Sequence, residues 1–209
     1  MAQSLVTYLG GATKSSEWLR AAADPAAAIH FFDDGFGTGS FTSATALNSA
    51  GYVGGHISTP AGANTNTCTS TASVCSAPSK LAFACSGRHG SSPAAGVVGV
   101  AAIAAGAAVN PSTTVGAYFT TSGGNLAFQV RDSNGAETIA LGSAPSVDAE
   151  HGFSFDGGEF KVYVDGVLKG TVKREFPAGE MRFVAGNTTA SASTNGFVSF
   201  DYVLVSADR

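Results

Sequence analysis

From His30 onward the chain never runs far without a turn former. Gly, Ser, Thr and Asn recur at short intervals, with apolar or aromatic clusters between them. That punctuation is the pattern of many short strands. Candidate strands fall at 29–33, 50–57, 80–85, 95–103, 115–121, 124–131, 136–141, 151–155, 159–165, 167–173, 180–186 and 196–206. About twelve strands in so short a chain demand a large sandwich or barrel.

Two hairpins can be read directly. In "EFKVYVDGVLKGTV" (159–172), Phe160, Val162 and Val164 share one face and Lys161 and Tyr163 the other. Asp165-Gly166 then supplies the positive φ angles of a type I′ turn, and Val167 and Leu168 begin the return strand. In "GNLAFQVRDSNGAETIALG", Leu126, Phe128 and Val130 alternate up to a turn at "SNG", and the pattern resumes with Thr138 and Leu141.

The 209 residues suffice for one well-buried core. Charged residues make up 12% of the chain, against about 25% in a typical soluble domain, and 27 residues are Gly. Such a chain is expected to bury surface against partners. The net charge of −4 comes without a Lys/Arg cluster, Lys173-Arg174 being the nearest approach to one, so nothing is suited to a phosphate backbone. The run "PAAGVVGVAAIAAGAAVNP" (93–111) is largely Ala and Gly and falls short of a membrane span; it reads as two buried strands with a bend near Gly106. No secretory signal is evident at the start, so use without export is expected.

Cys68, Cys75 and Cys85 are odd in number and lack zinc-ligand or C-x-x-C spacing. Free thiols are favoured, with a Cys68–Cys75 disulfide as the alternative. Residues 15–29 offer a Ser cap, Glu17, Trp18 and Leu19 before Pro25, which reads as a short helix. The expected organisation is an N-terminal arm or short helix over 1–29, with Trp18 and Leu19 as candidate attachment residues, and a β-sandwich domain over 30–209. The Ser/Thr/Asn-rich stretch 58–79 reads as a long surface loop and a candidate contact surface.

The segments "SGGNLAFQVRDSNGAETIALG" and "FKVYVDGVLKGTVKREFPAGEMRFVAGNTTASASTNGFVSFDYVLVS" resemble the concanavalin A-like (laminin G-like) jelly-roll module of tailed-phage virion proteins. The family's "xVYVDGxxxGT" hairpin is matched at 162–171, its "xPxxxxxN" strand at 183–187 and its "xVDYVxxS" strand at 199–206. Where that family has a Trp-centred strand before the hairpin, this chain has Phe153 and Phe155. The resemblance implies an all-β, two-sheet antiparallel jelly-roll sandwich. It also implies a structural virion protein, a capsid decoration (cement) or tail accessory protein assembled in the host cytoplasm. Its expected partners are the major capsid protein or other virion proteins, in a homotrimer, with no nucleic acid and no membrane.

The same fold carries lectins, glycosidases and lyases, so site residues must decide. The sandwich glucanases place catalytic carboxylates along one strand; the nearest set is Glu150, Asp156 and Glu159, interrupted by glycines and read as turn decoration. Similarity to alginate lyases ends at "RFVAGNTT", because His56 and His151 lack a partner Gln and there is no Arg-rich strand. No G-x-S-x-G elbow occurs. Asp33-Asp34 lacks the further oxygen ligands that Ca²⁺ needs, and Phe31, Phe32, Phe36 and Phe41 read as core. The expectation is therefore no enzyme, no cofactor and no metal. The alternative role is a carbohydrate-binding adhesion module on the virion that contacts host surface glycans through Tyr118, Tyr163 and Tyr202; a polysaccharide-degrading enzyme is the third.

Overall fold

The computed structural model describes residues 29–33, 41–43, 55–58, 66–89, 96–145, 149–187 and 197–208. The proposed arm, including Trp18 and Leu19, lies outside the described residues, as do Asp34 and Phe36. The strands are β1 (Ile29–Asp33), β2 (Phe41–Ser43), β3 (Gly55–Ser58), β4 (Asn66–Ser70), β5 (Cys75–Ser76), β6 (Lys80–His89), β7 (Gly96–Ala101) and β8 (Gly116–Ser122). They continue as β9 (Asn125–Asp132), β10 (Gly135–Ser143), β11 (Ala149–Asp156), β12 (Glu159–Val164), β13 (Val167–Lys173), β14 (Glu180–Asn187) and β15 (Phe197–Ala207). No described residue is helical.

All strand pairings are antiparallel. The first sheet runs β1-β15-β6-β11-β12-β13, with β3 also on β15; the second runs β10-β9-β8-β7-β14-β4-β2, with β5 also on β14. Strands distant in sequence lie side by side, as with β6 between β11 and β15, which makes the fold a two-sheet jelly-roll sandwich. The sequence-derived fold class holds.

Between the sheets lies an aromatic core. Phe83, Phe153, Phe155 and Phe160 come from the first sheet, and Phe119, Phe128 and Phe183 from the second. Phe153 and Phe128 meet across the gap with centroids 5.1 Å apart, and Phe83 stacks on Phe153 at 5.0 Å. Phe176, in the connection before β14, closes one end against Phe155 and Phe160 at 5.3 and 5.8 Å. The β12–β13 hairpin forms with Val164 opposite Val167 and a bulge between Val162 and Tyr163, Asp165 and Gly166 at its turn having φ of 50° and 75°. Asp165 has a structural task beyond the turn: its Oδ1 accepts a 2.9 Å hydrogen bond from the Glu150 N–H.

Two sequence expectations are corrected. Stretch 58–79 is not all loop, because 66–70 and 75–76 are strands paired to β14, and Cys68, Thr69, Ser70, Val74 and Cys75 are buried. Its hydroxyls made it look solvent-facing; several instead bond inside the fold, as where Ser70 Oγ accepts from the Phe183 N–H at 3.1 Å. Among its described residues the run 93–111 holds one strand, 96–101, and not two. From Ala102 to Val115 the chain leaves the sheet and folds back over its outer face. Its alanines are too small to specify a strand, and Val109 finds burial without one. All three cysteines are buried and none forms a disulfide, and burial pushes the Cys75 thiol up to about 12.

His151, on β11 opposite Cys85 and Val164, packs edge-on to Phe119 with centroids 5.3 Å apart. Burial lowers its pKa to about 4, against the opposing pull of Asp165 and of a hydrogen bond to the Ala149 backbone carbonyl. The folded value lies below the ordinary 6.5, so the unfolded chain takes up the proton first as pH falls. Stability is therefore whole above pH ~6.5 and drops by as much as about 3 kcal/mol as pH approaches ~4. Urea unfolding of wild type and His151→Leu at neutral and acid pH checks this: the wild type is expected to show the extra loss, and an equal loss in both would remove His151 as its cause.

Candidate functional site

The second sheet turns one face to the core and the other outward. On β9 the alternation is strict: Leu126, Phe128 and Val130 are buried, while Ala127, Gln129 and Arg131 face outward and are partly exposed. Register extends this outward face sideways. Thr138 on β10, Gln129 on β9, Tyr118 on β8, Gly99 on β7, Val184 on β14 and Thr69 on β4 form one row. Ala136, Arg131, Gly116, Ala101 and Arg182 form the next.

Residues 102–115 cover the middle of this face. Val109 and Ile103 pack on Val97, Ala101, Tyr118 and Val184, a small apolar cluster separate from the main core. The Gly106 N–H donates to Thr69 Oγ1 at 2.8 Å, tying the segment to β4. At the other end 110–114 is a tight turn held by Asn110, whose Oδ1 accepts from the Ser112 N–H at 2.9 Å and whose carbonyl accepts from Thr114 N–H at 2.7 Å.

Three outward side chains grip that turn through one acceptor. The Pro111 carbonyl receives Gln129 Nε2 at 2.6 Å, Arg131 Nε at 3.0 Å and, at the limit of contact, Tyr118 Oη at 3.4 Å. Tyr118 Oη donates to the Thr114 carbonyl at 2.8 Å and accepts from Gln129 Nε2 at 3.1 Å. Burial pushes the Tyr118 phenol up to about 12, outweighing the opposing effect of Arg131, so it stays a neutral donor at any physiological pH. The result is a ledge. Ala136, Thr138 and Ala140 of β10 are its exposed rim, Ala127, Gln129, Arg131 and Thr120 its floor, and 110–114 its wall.

The tyrosines singled out from the sequence are not brought together. Tyr118 is fully buried beneath 102–115 and offers no ring face to a sugar. Tyr163, partly buried, stands on the outer face of the first sheet opposite Gly152, and Tyr202 takes the register position opposite Ser86 on β15 of that sheet. Gln129 and Arg131 were missed. The alternation in "LAFQVRD" marks both as outward, but their partner Pro111 lies 18 and 20 residues away.

The three carboxylates do not form a single cluster. Glu150 and Asp156 share one face of β11 six residues apart, about 20 Å at strand rise, well beyond the roughly 5–9.5 Å of a glycosidase pair. Asp156 and Glu159 are direct neighbours across the hairpin tip, in a row flanked by Lys80 and Lys173. Among the described residues no group of three or more His, Cys, Asp or Glu could hold a metal ion, and no helix is long and apolar enough to cross a membrane.

No protein-family model matches the chain, and no curated protein matches it by sequence. Solved structures do. A β-1,3-1,4-glucanase (lichenase) from a mouse hindgut metagenome superposes with TM-score 0.61 at 9% identity, covering 86% of this chain and 99% of the enzyme. The carbohydrate recognition domain of Emp47p gives 0.58 at 13% identity, over 81% of this chain and 89% of that one. Botulinum neurotoxin type C, which depends on interaction with two ganglioside molecules to enter cells, gives 0.55 at 13% identity over 81% of this chain; the match spans 43% of the toxin chain, less than half its length.

These likenesses correct the expectation that the chain is not an enzyme. A lichenase carries the same fold over nearly its whole length, so the fold accommodates glycoside hydrolysis and the exclusion drawn from sequence does not stand. None of the three is a phage virion protein, and nothing in them bears on a capsid partner or a trimer. The chain has the concanavalin A-like jelly-roll fold that carbohydrate-recognition domains and β-glucanases share.

Proposed function

We propose that the chain is a carbohydrate-binding module, and that its glycan lies along the ledge formed by β9, β10 and the 110–114 turn. The observation that carries this reading is the shared grip of Gln129 and Arg131 on the Pro111 carbonyl. Sugar recognition needs planar polar side chains already fixed in orientation, because a flexible one loses entropy on binding. Here two such side chains are held in place while still partly exposed. Small rim residues leave the backbone of a bound chain unobstructed. Similarity in fold to a carbohydrate recognition domain supports the same class of ligand. On a virion surface, such a module would serve adhesion to host glycans.

A glycan array probed with the purified chain tests the reading. Saturable binding to a defined subset is expected, weakened in Gln129→Ala; no binding to any glycan at millimolar concentration would contradict it. Assay of the same mixtures for new reducing ends separates binding alone from binding followed by cleavage.

A further inference from the structure

We propose that the ledge selects anionic glycans, Arg131 taking a carboxylate or sulfate group of the bound sugar; this rests on the carbohydrate-binding reading above. Arg131 is the one charged side chain on the outward faces of β8, β9 and β10, and 102–115 contains no charged residue at all. Asp132 and Glu137 alternate to the opposite face. A protein of net charge −4 thus presents a cation where the outward faces of β8, β9 and β10 and segment 102–115 carry no carboxylate.

The contrast with Arg174 is informative. Arg174 is clasped by Asp132 through two bonds, of 3.1 and 2.6 Å, while no described carboxylate pairs with Arg131. Arg131 spends Nε on the Pro111 carbonyl, which fixes the plane of the guanidinium and leaves Nη hydrogens for an outside acceptor. Gln129 spends Nε2 on Pro111 and Tyr118, leaving Oε1 to accept from a sugar hydroxyl. A cationic fork beside a fixed acceptor matches an acidic group next to a hydroxyl, the arrangement of a uronate or of a sulfated sugar.

Calorimetry with three oligosaccharides tests this: oligogalacturonate, its neutral methyl ester, and a sulfated galactan oligomer. An acidic probe is expected to bind the wild type at least about tenfold more tightly than the ester, the size of a charge-assisted hydrogen bond, and the preference should shrink in high salt. Whether carboxylate, sulfate or both carry the preference identifies the group recognised. Arg131→Gln is expected to lose the preference for acid over ester; Arg131→Lys should keep part of it, and Arg182→Gln, off the ledge, all of it. Equal wild-type affinity for acid and ester would overturn the anionic selection while leaving carbohydrate binding intact, and this comparison needs no variant. A preference that survives in Arg131→Gln would overturn the role of Arg131. Absence of binding to any probe, with an empty glycan array, would overturn both proposals.

Discussion

Phe153→Ala is expected to destabilise the fold by about 3–5 kcal/mol, the cost of removing a buried aromatic ring and leaving its cavity. Phe153 is fully buried and lies where the two sheets meet. Its ring contacts Phe83 at 5.0 Å and Phe160 at 6.0 Å in its own sheet, and Phe128 at 5.1 Å and Phe119 at 6.4 Å in the other. Four aromatic neighbours cannot close such a gap together, since each is held by a strand in register. Urea unfolding followed by near-UV circular dichroism should show the midpoint falling with the slope unchanged. A loss below about 1 kcal/mol would mean that the sheets do not pack on this ring.

Gly99→Ala is the second large effect, expected to cost more than about 3 kcal/mol, at or beyond the upper end for overpacking. A Cβ at Gly99 would lie 2.5 Å from the Ala117 carbonyl oxygen, 2.5 Å from Tyr118 Cα and 2.6 Å from Tyr118 Cβ. Two of those atoms are backbone, so no rotamer change relieves the clash; β7 and β8 must separate. Gly116 makes the reciprocal approach, its Cβ position lying 2.4 Å from the Val100 carbonyl oxygen. The site should suffer with the fold, because Tyr118 carries the hydroxyl that holds Thr114. Urea unfolding would show the lowered midpoint, and wild-type stability in Gly99→Ala would mean that the strands are farther apart than described.

The fold was legible where side chains of contrasting size alternate. "FKVYVDGVLKG" gave its hairpin, turn and inward face correctly, because Phe160, Val162 and Val164 have nowhere else to go once Asp165-Gly166 reverses the chain. Legibility failed where residues are small or hydroxylated. "NTCTS" is a strand whose buried Thr69 and Ser70 look like loop residues, and their hydroxyls are satisfied by Gly106 and Phe183, far away in sequence. The ledge failed differently. Gln129 and Arg131 were visible as outward residues of β9, but what makes them a site is a backbone carbonyl delivered by 102–115, a segment whose alanines fit strand and loop alike. The tyrosines were chosen for their rings, and burial of Tyr118 turned a supposed stacking surface into a loop anchor.

The central claim is the location of the binding surface, and amide chemical-shift mapping during titration with an array-selected glycan tests it most directly. The changes are expected to cluster in 110–114, 127–131 and 136–140. Changes centred instead on the first sheet around Tyr163, with the ledge silent, would contradict it.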